Sequence, residues 1–550
     1  MKNRLKVFNT EGDMTIKSPQ EDTHIKGSQV TGENVTLEAK KNIAISAAEN
    51  SNTTKENTRS SGASIGASLG VSGLQGVSAS YGKASDHVKE NETAYEKRRV
   101  TANKDLIFSS VKNTTITGSE MAGGKVTGYV GGNLSIKTKQ DEKTYEEKNS
   151  STGLSVNYSM KNGKTSVIGG ISKDNIHSNY ESATDQGGIR AGGEGFDISV
   201  KDNTDLKGGV IDSAANKDKN TLTTGTLSWE DKGNKADYKA GGIGVSYSPN
   251  NKSSKLNQRG LTPNLTPTVK DKTDSTTKSA VAEGTIHITN QEQQKQDIAN
   301  LNRNTKNSLN QLQEIFDKTK VEERQELVGM LEKYGNQAIH KYAESKGWKD
   351  GSTEKMLLHG AFGALMGDMA GGSVPATALA GGATEYVMGY LTKEKGEDWV
   401  QKHPDTVQWI AAGVGTGLDS IADGTSLGAD IAVNSVKWNL EFSEPIHEMS
   451  DKIWETLSEE DKEKLQKSIE SNSVTYGISI LAKYTIRYYP QMVKEYPEIF
   501  EGVKDLGKLK SAYSIAGFIW FYCEKRYENR PDSIGYDTWL EHEIIGGQKD

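Results

Sequence analysis

Few residues in this chain have the types and spacing that chemistry needs. His447 and Asp451 stand four apart on one expected helix face, where a carboxylate can orient an imidazole base. The same spacing also makes an ordinary surface ion pair, and the sequence leaves both readings open. Near the end, Glu541, His542 and Glu543 offer metal-type ligands, but no second His stands at ligand spacing, so no metal and no cofactor is expected. His447, Asp451, His542 and Glu543 therefore form the candidate catalytic set. Cys523 lies in the apolar run IWFYC, which suits a core position better than a nucleophile. It is the chain's single cysteine, so no intrachain disulfide can form. The glycine-rich GALMGDM (363–369) lacks the Lys and Ser/Thr of a phosphate loop.

All of the catalytic candidates fall within 440–550, a segment unlike the rest. It carries 14 basic and 21 acidic residues and holds 16 of the chain's 38 aromatics, while 1–439 balances at 53 of each sign. Helical stripes dominate it, at Ile478, Ile480, Leu481, Tyr484 and Tyr488, then at Leu509, Tyr513, Ala516, Ile519 and Trp520. Residues 440–550 thus read as a small α-helical domain with its own core. Only 504–530 is basic, with six basic against three acidic residues, so nucleic acid is a partner that the charge permits but does not indicate. The aromatic helix SAYSIAGFIWFY (511–522) fits a membrane-active cargo or a domain core.

Upstream, LLHGAFGALMGDMAGGSVPATALAGGATEYVMGYL (357–391) and VQWIAAGVGTGLDSIADG (407–424) place Gly and Ala at helical spacing, which predicts tight helical hairpins over 351–439. Asp368 and Pro375 interrupt the run, and no 18-residue stretch is free of charge or proline, against a membrane span. Residues 281–350 read as an amphipathic helical region. Ile298, Leu301, Leu309, Leu312, Ile315 and Phe316 form one stripe, and Leu327, Val328, Leu331, Tyr334 and Ala338 form another. Residues 251–280, rich in Asn, Ser, Thr, Lys and Pro, read as a linker.

The segment 1–250 repeats itself. DTHIKGSQVTGENVTLEAKKNIAIS (22–46) returns 91 positions later, pairing Ile25 with Ile116, Gly27 with Gly118, Val35 with Val126 and Asn42 with Asn133. A third copy, NTDLKGGVI (203–211), follows 90 positions after the second. Within each copy apolar and polar residues alternate, which is a strand period, and repetition at a long fixed spacing is the signature of a solenoid. With roughly twenty residues per rung and about 4.8 Å between rungs, 1–250 makes a rod of about 60 Å. Between copies lie hairpins: 152–160 and 165–172 flank Asn162-Gly163, 63–72 and 76–82 make an earlier one, and Ile243, Val245 and Tyr247 begin a third. These either stack on the rod's flank or, with one apolar and one small or polar face, follow the pattern of outer-membrane strands.

The phrases GSQVTGENVTLEA (27–39), GSEMAGGKVTGYVGGNLSI (118–136), GGEGFDISVKDNTDLKGGVI (192–211) and LTTGTLSWED (222–231) resemble the haemagglutinin-repeat region of filamentous-haemagglutinin-type exoproteins, including contact-dependent growth-inhibition toxins. The Gly/Ala block resembles their pre-toxin region, which commonly ends in Val-Glu-Asn-Asn. Here GADIAVNSVKWN (428–439) keeps Val433 and Asn434 but not the Glu, and a second Asn comes only at Asn439. That departure puts the junction and any Asn-dependent self-cleavage in doubt. The resemblance implies a right-handed parallel β-helix followed by α-helical domains, and export by a two-partner secretion outer-membrane transporter. It further implies display on a Gram-negative-type cell surface, a receptor or outer membrane on the target cell, a cognate immunity protein, and a C-terminal effector delivered into neighbouring bacteria. The rival expectation is a surface adhesin whose C-terminus is a non-toxic helical cap. No apolar run of signal-peptide length stands in MKNRLKVFNTEGD, which fits the downstream part of a longer exoprotein or an orphan cassette.

Overall fold

The computed structural model describes residues 6–70, 73–250, 255–422 and 427–439. His447, Asp451, Cys523, Glu541, His542 and Glu543, with the whole segment 440–550, lie outside the described residues.

Short parallel strands coil from residue 6 to residue 288 into one 16-stranded sheet, and its ladder explains the repeat spacing. Val35 pairs with Leu106 on the next rung, and Leu106 pairs in turn with Val126. The first of these steps along the chain is long and the second short, and together they span the offset between the first two copies. The next long step, Val126 to Phe196, is shorter than the first by a single position, which gives the third copy its slightly smaller offset. A short step is one bare coil, and a long step is a coil from which a hairpin departs. Hairpins therefore leave the rod every second coil. Two coils rise by about the width of two paired strands, so each hairpin meets the next edge to edge without strain.

Inside the coil, like stacks on like. Ile25, Ile45, Ile116, Ile136 and Leu206 form one buried column, in direct register from rung to rung. Val35, Leu106, Val126 and Phe196 form another. Gly27, Gly118 and Gly208 turn the same corner with φ of 60°, 58° and 59°, a left-handed conformation that a Cβ disfavours. At another corner polar side chains climb the rod. Asp22 accepts from the Asn42 N–H, Asn42 from that of Asn113, Asn113 from that of Asn133, and Asn133 from that of Asn203, over 2.8–3.1 Å. These links satisfy corner backbone groups that no strand reaches.

Three hairpins make a second, six-stranded antiparallel sheet: Ala48–Gly70 with Gly73–Glu96, Asp141–Ser159 with Lys164–Ser182, and Lys232–Ser248 with Gly260–Thr277. Their strands are 17 to 24 residues long, beyond the alternation visible in sequence, and toward the base of the first hairpin polar residues occupy both faces. The linker reading of 251–280 is corrected here. Gly260–Thr277 is a strand of 18 residues that completes the third hairpin. Its prolines are tolerated because it is the sheet's last strand, and because Pro267 falls where the register shifts opposite Ala240 and Gly242.

The helix expected over 298–316 is also absent. Only Ile298–Asn300 forms a 3-10 turn, and the remainder is an irregular strap whose apolar residues serve different clusters. Leu301 enters the solenoid core, Leu312 packs with Tyr180 and Ala236, and the Phe316 ring lies 5.0 Å from that of Tyr145. Tertiary anchoring defeats the helical spacing. Just before it, Gln294 and Gln296 occupy the edge of the strand Thr221–Glu230: their side-chain amides bond both backbone groups of Leu227 and of Trp229 at 2.8–3.0 Å.

The second stripe is helical as expected. Helix α1 (Lys318–Ser345) is followed by α2 (Thr353–Ala370), α3 (Val374–Lys395), α4 (Glu397–Lys402), α5 (Pro404–Ala422) and α6 (Leu427–Asn439). Small residues bring α2 and α3 together: a Cβ at Gly363 would stand 2.2 Å from the Thr377 carbonyl oxygen, and one at Gly381 2.3 Å from that of His359. The bundle packs Val328, Leu331, Phe362 and Leu365 against Ile176, Tyr238, Ala240 and Val269 at the base of the hairpin sheet. Among the described residues no helix is long and apolar enough to cross a membrane, which says nothing of strands.

Candidate functional site

The outer halves of the hairpins form the surface best suited to act. They carry almost no charge: none between Arg59 and Lys83, between Lys148 and Lys161, or between Lys164 and Lys173. The register aligns their apolar residues on one face. Ala63, Tyr81, Leu154, Gly169, Tyr247 and Leu261 stand directly opposite one another across all six strands. A second row holds Ile65, Ala79, Val156 and Val167. Ile65 is 90% exposed, Ile243 64% and Ile171 56%, and Tyr81, Leu154, Tyr158, Tyr247 and Leu261 are exposed too. So much contiguous apolar surface marks an interaction site.

The opposite face is hydroxylic and small. Ser64 and Ser80 touch at 2.7 Å, as do Ser151 and Ser172. Nearer the rod that same face turns apolar and receives the helices, so the bundle covers the base of one face and leaves the outer apolar face uncovered among the described residues. An ion pair fixes the base. Lys318 of α1 reaches Glu147 at 2.8 Å, and Tyr145 donates to the same carboxylate. Burial pushes the Glu147 carboxyl up, but Lys318, Tyr145 and Asn149 outweigh it and hold the group below its ordinary value.

Among the described residues no group of three or more His, Cys, Asp or Glu could hold a metal. Val433 and Asn434, the surviving part of the junction tetrapeptide, are buried within α6. The sheet was visible in the sequence as three short amphipathic hairpins, whereas the buried polar groups of the helical bundle were missed. Their signal was faint: Glu332, Lys355, His359 and Glu385 are ionisable residues within stripes that otherwise read as apolar.

Comparison with known proteins agrees with this architecture. The haemagglutinin repeat family matches residues 6–152. A protein named Toxin CdiA from Escherichia coli is 30% identical over 468 residues, covering 76% of this chain and 14% of that protein. A tRNA nuclease CdiA from Yersinia mollaretii is 34% identical over 307 residues, 55% of this chain and 10% of its own. A Deoxyribonuclease CdiA from Dickeya dadantii is 33% identical over 343 residues, 60% of this chain and 10% of its own. The chain therefore spans about a seventh or less of the length of these relatives. Repeat spacing, coil and relatives converge: the chain belongs to the haemagglutinin-repeat exoproteins of the filamentous-haemagglutinin type, the group that includes contact-dependent growth-inhibition toxins.

Proposed function

We propose that this chain is part of a secreted, cell-surface toxin of the contact-dependent type, with an effector in residues 440–550 that is delivered into neighbouring bacteria. One observation carries the reading. Relatives named for a tRNA nuclease and for a deoxyribonuclease match this chain almost equally well, at 34% and 33%. One shared stretch cannot encode both activities, so the activity belongs to the part that differs. The composition break near residue 440, where aromatics and acidic residues concentrate, supports placing a separate cargo there.

In this reading 1–250 and the hairpin strand that follows form a right-handed solenoid unit, the handedness that parallel crossovers favour. The segment 351–439 is a pre-toxin unit. An outer-membrane transporter of the two-partner type exports the chain, and an immunity protein protects the producer. The open apolar sheet face engages the outer membrane of the target cell, since its strands pair one apolar with one small, polar face over bilayer-spanning lengths.

The test is expression of residues 440–550 inside a bacterium, in the cytoplasm and, separately, in the periplasm. Growth arrest in either compartment is the expected result. Comparing intact nucleic acids with membrane potential in the arrested cells then separates nuclease from membrane action. Normal growth in both, at verified expression, would favour the adhesin.

A further inference from the structure

Where α6 lies against α1, one carboxyl is buried without an ion pair. Glu332 is 1% exposed, and its Oε2 accepts from the Asn434 Nδ2 at 2.5 Å. Its other oxygen, Oε1, has no hydrogen-bond partner. One turn along α1, Asn336 is equally buried, and its Oδ1 also lacks a partner. Asn336 spends its amide N–H on the Glu332 backbone carbonyl, at 2.7 Å, so turning the amide over would forfeit that bond. Glu332 Oε1 and Asn336 Oδ1 are thus two buried acceptors one turn apart on α1, each without a donor among the described residues, a costly arrangement.

We propose that Glu332 is a protonation-dependent clasp fastening α6 to α1. With the proton on Oε1, the carboxyl donates to Asn336 and accepts from Asn434, and every polar atom at the contact is matched. When that proton leaves for solvent, a bare carboxylate remains beside an opposing oxygen, and α6 loosens from the bundle. The clasp thus governs how firmly α6, the last described helix, is held to the bundle.

The surrounding charges do not substitute for the proton. Lys437 on α6 favours the ionised form but does not offset burial, and the carboxyl is pushed up to about 8. Lys333 of α1 lies over the Trp438 ring, 5.2 Å from its centroid. Asp430, one turn before Asn434, accepts the Thr268 N–H at 3.0 Å. Lys355 and His359 of α2, Glu385 of α3 and His340 of α1 form a separate set, in which Lys355 stands 3.4 Å from Glu385. The sign follows from the raised value. The folded state keeps a proton that an unfolded glutamate gives up near pH 4.5. Its contribution is therefore complete below that pH and disappears as pH rises through 8.

The experiment is hydrogen exchange on the full chain between pH 7 and pH 9, corrected for intrinsic exchange rates and read at residues 427–439. Protection there should fall about tenfold over this range, since the lower limit lies one unit below the folded value and nothing more is lost well above it. Glu332→Gln copies the protonated carboxyl, with a donor for Asn336 and an acceptor for Asn434, so its protection should stay level. A flat profile in the unaltered chain overturns the clasp. An equal fall in both chains overturns it too, by assigning the dependence to another group. Should Glu332→Gln fail to fold, Glu332→Met, which removes the titrating group and keeps the stem, takes its place: a level profile supports the clasp, and a fall equal to that of the unaltered chain overturns it.

Discussion

Phe108 lies directly over Gly128 on the next rung of the coil, and the ring occupies the space where a side chain at Gly128 would stand. The two residues pair in register, and a Cβ built on Gly128 would come 2.3 Å from Phe108 Cζ. Other copies hold Leu37 and Ile198 in this column, so the glycine is a local concession to one large ring. Gly128→Ala should destabilise the solenoid by about 1–3 kcal/mol, as overpacking of a close-packed core does. The pair Gly128→Ala with Phe108→Leu should recover most of that loss. Thermal unfolding of the single and double variants measures the coupling, and strict additivity would show that the ring is not the obstacle.

This column shows what could be read in advance and what could not. The strand period and the long repeat spacing lie in the sequence because inward side chains must match their neighbours on every rung. The outer halves of the hairpins could be read between the copies, but not how far their strands extend, since toward the base of the first hairpin both faces are polar. The strap over 298–316 failed for the opposite reason. Its apolar residues fall at helical intervals, yet Leu301, Leu312 and Phe316 are held by three separate surfaces. The candidate residues His447, Asp451, His542 and Glu543 remain readings from sequence alone, outside the described residues.

The glutamine pair at the end of the coil should behave as a stop. Gln294 and Gln296 fill backbone groups of Leu227 and Trp229 that another parallel strand would otherwise take. Replacing both by Ala leaves part of that edge open and invites pairing with another chain. Light scattering should then show concentration-dependent association that the unaltered protein lacks. A doubly substituted protein that stays monomeric would mean that the strap alone protects the edge.

Lys355 should be among the costliest single positions in the helical bundle. It is 1% exposed and meets the exposed Asp350 at 2.5 Å and the buried Glu385 at 3.4 Å. Burial pushes the Glu385 carboxyl up to about 7, against the pull of Lys355. Lys355→Met removes the charge and keeps the stem, leaving Glu385 and Asp350 without their cation. A loss of about 3–5 kcal/mol is expected, the usual result of stranding one half of a buried pair. Chemical denaturation followed by the helical signal measures it. Adding Glu385→Gln should restore part of the loss, because the stranded charge is then gone.

The apolar sheet face gives the most direct test of the proposed membrane engagement. Leu154 and Tyr247 stand in the central row, and Ile243 is 64% exposed at its margin, so changes there disturb no packed core. The protein should float with vesicles of outer-membrane lipid in a density gradient. Leu154→Glu with Ile243→Glu should abolish flotation, since each places a charge on a lipid-facing strand position, which opposes insertion. The same variant should unfold at the temperature of the unaltered protein, because both side chains already face solvent. Ser64→Ala, on the hydroxylic face, serves as the control and should float normally. If the double variant floats as well as the parent, the face is not what meets the membrane. If the parent instead dimerises through this face and ignores vesicles, its partner is a second copy of the sheet, and the membrane reading falls.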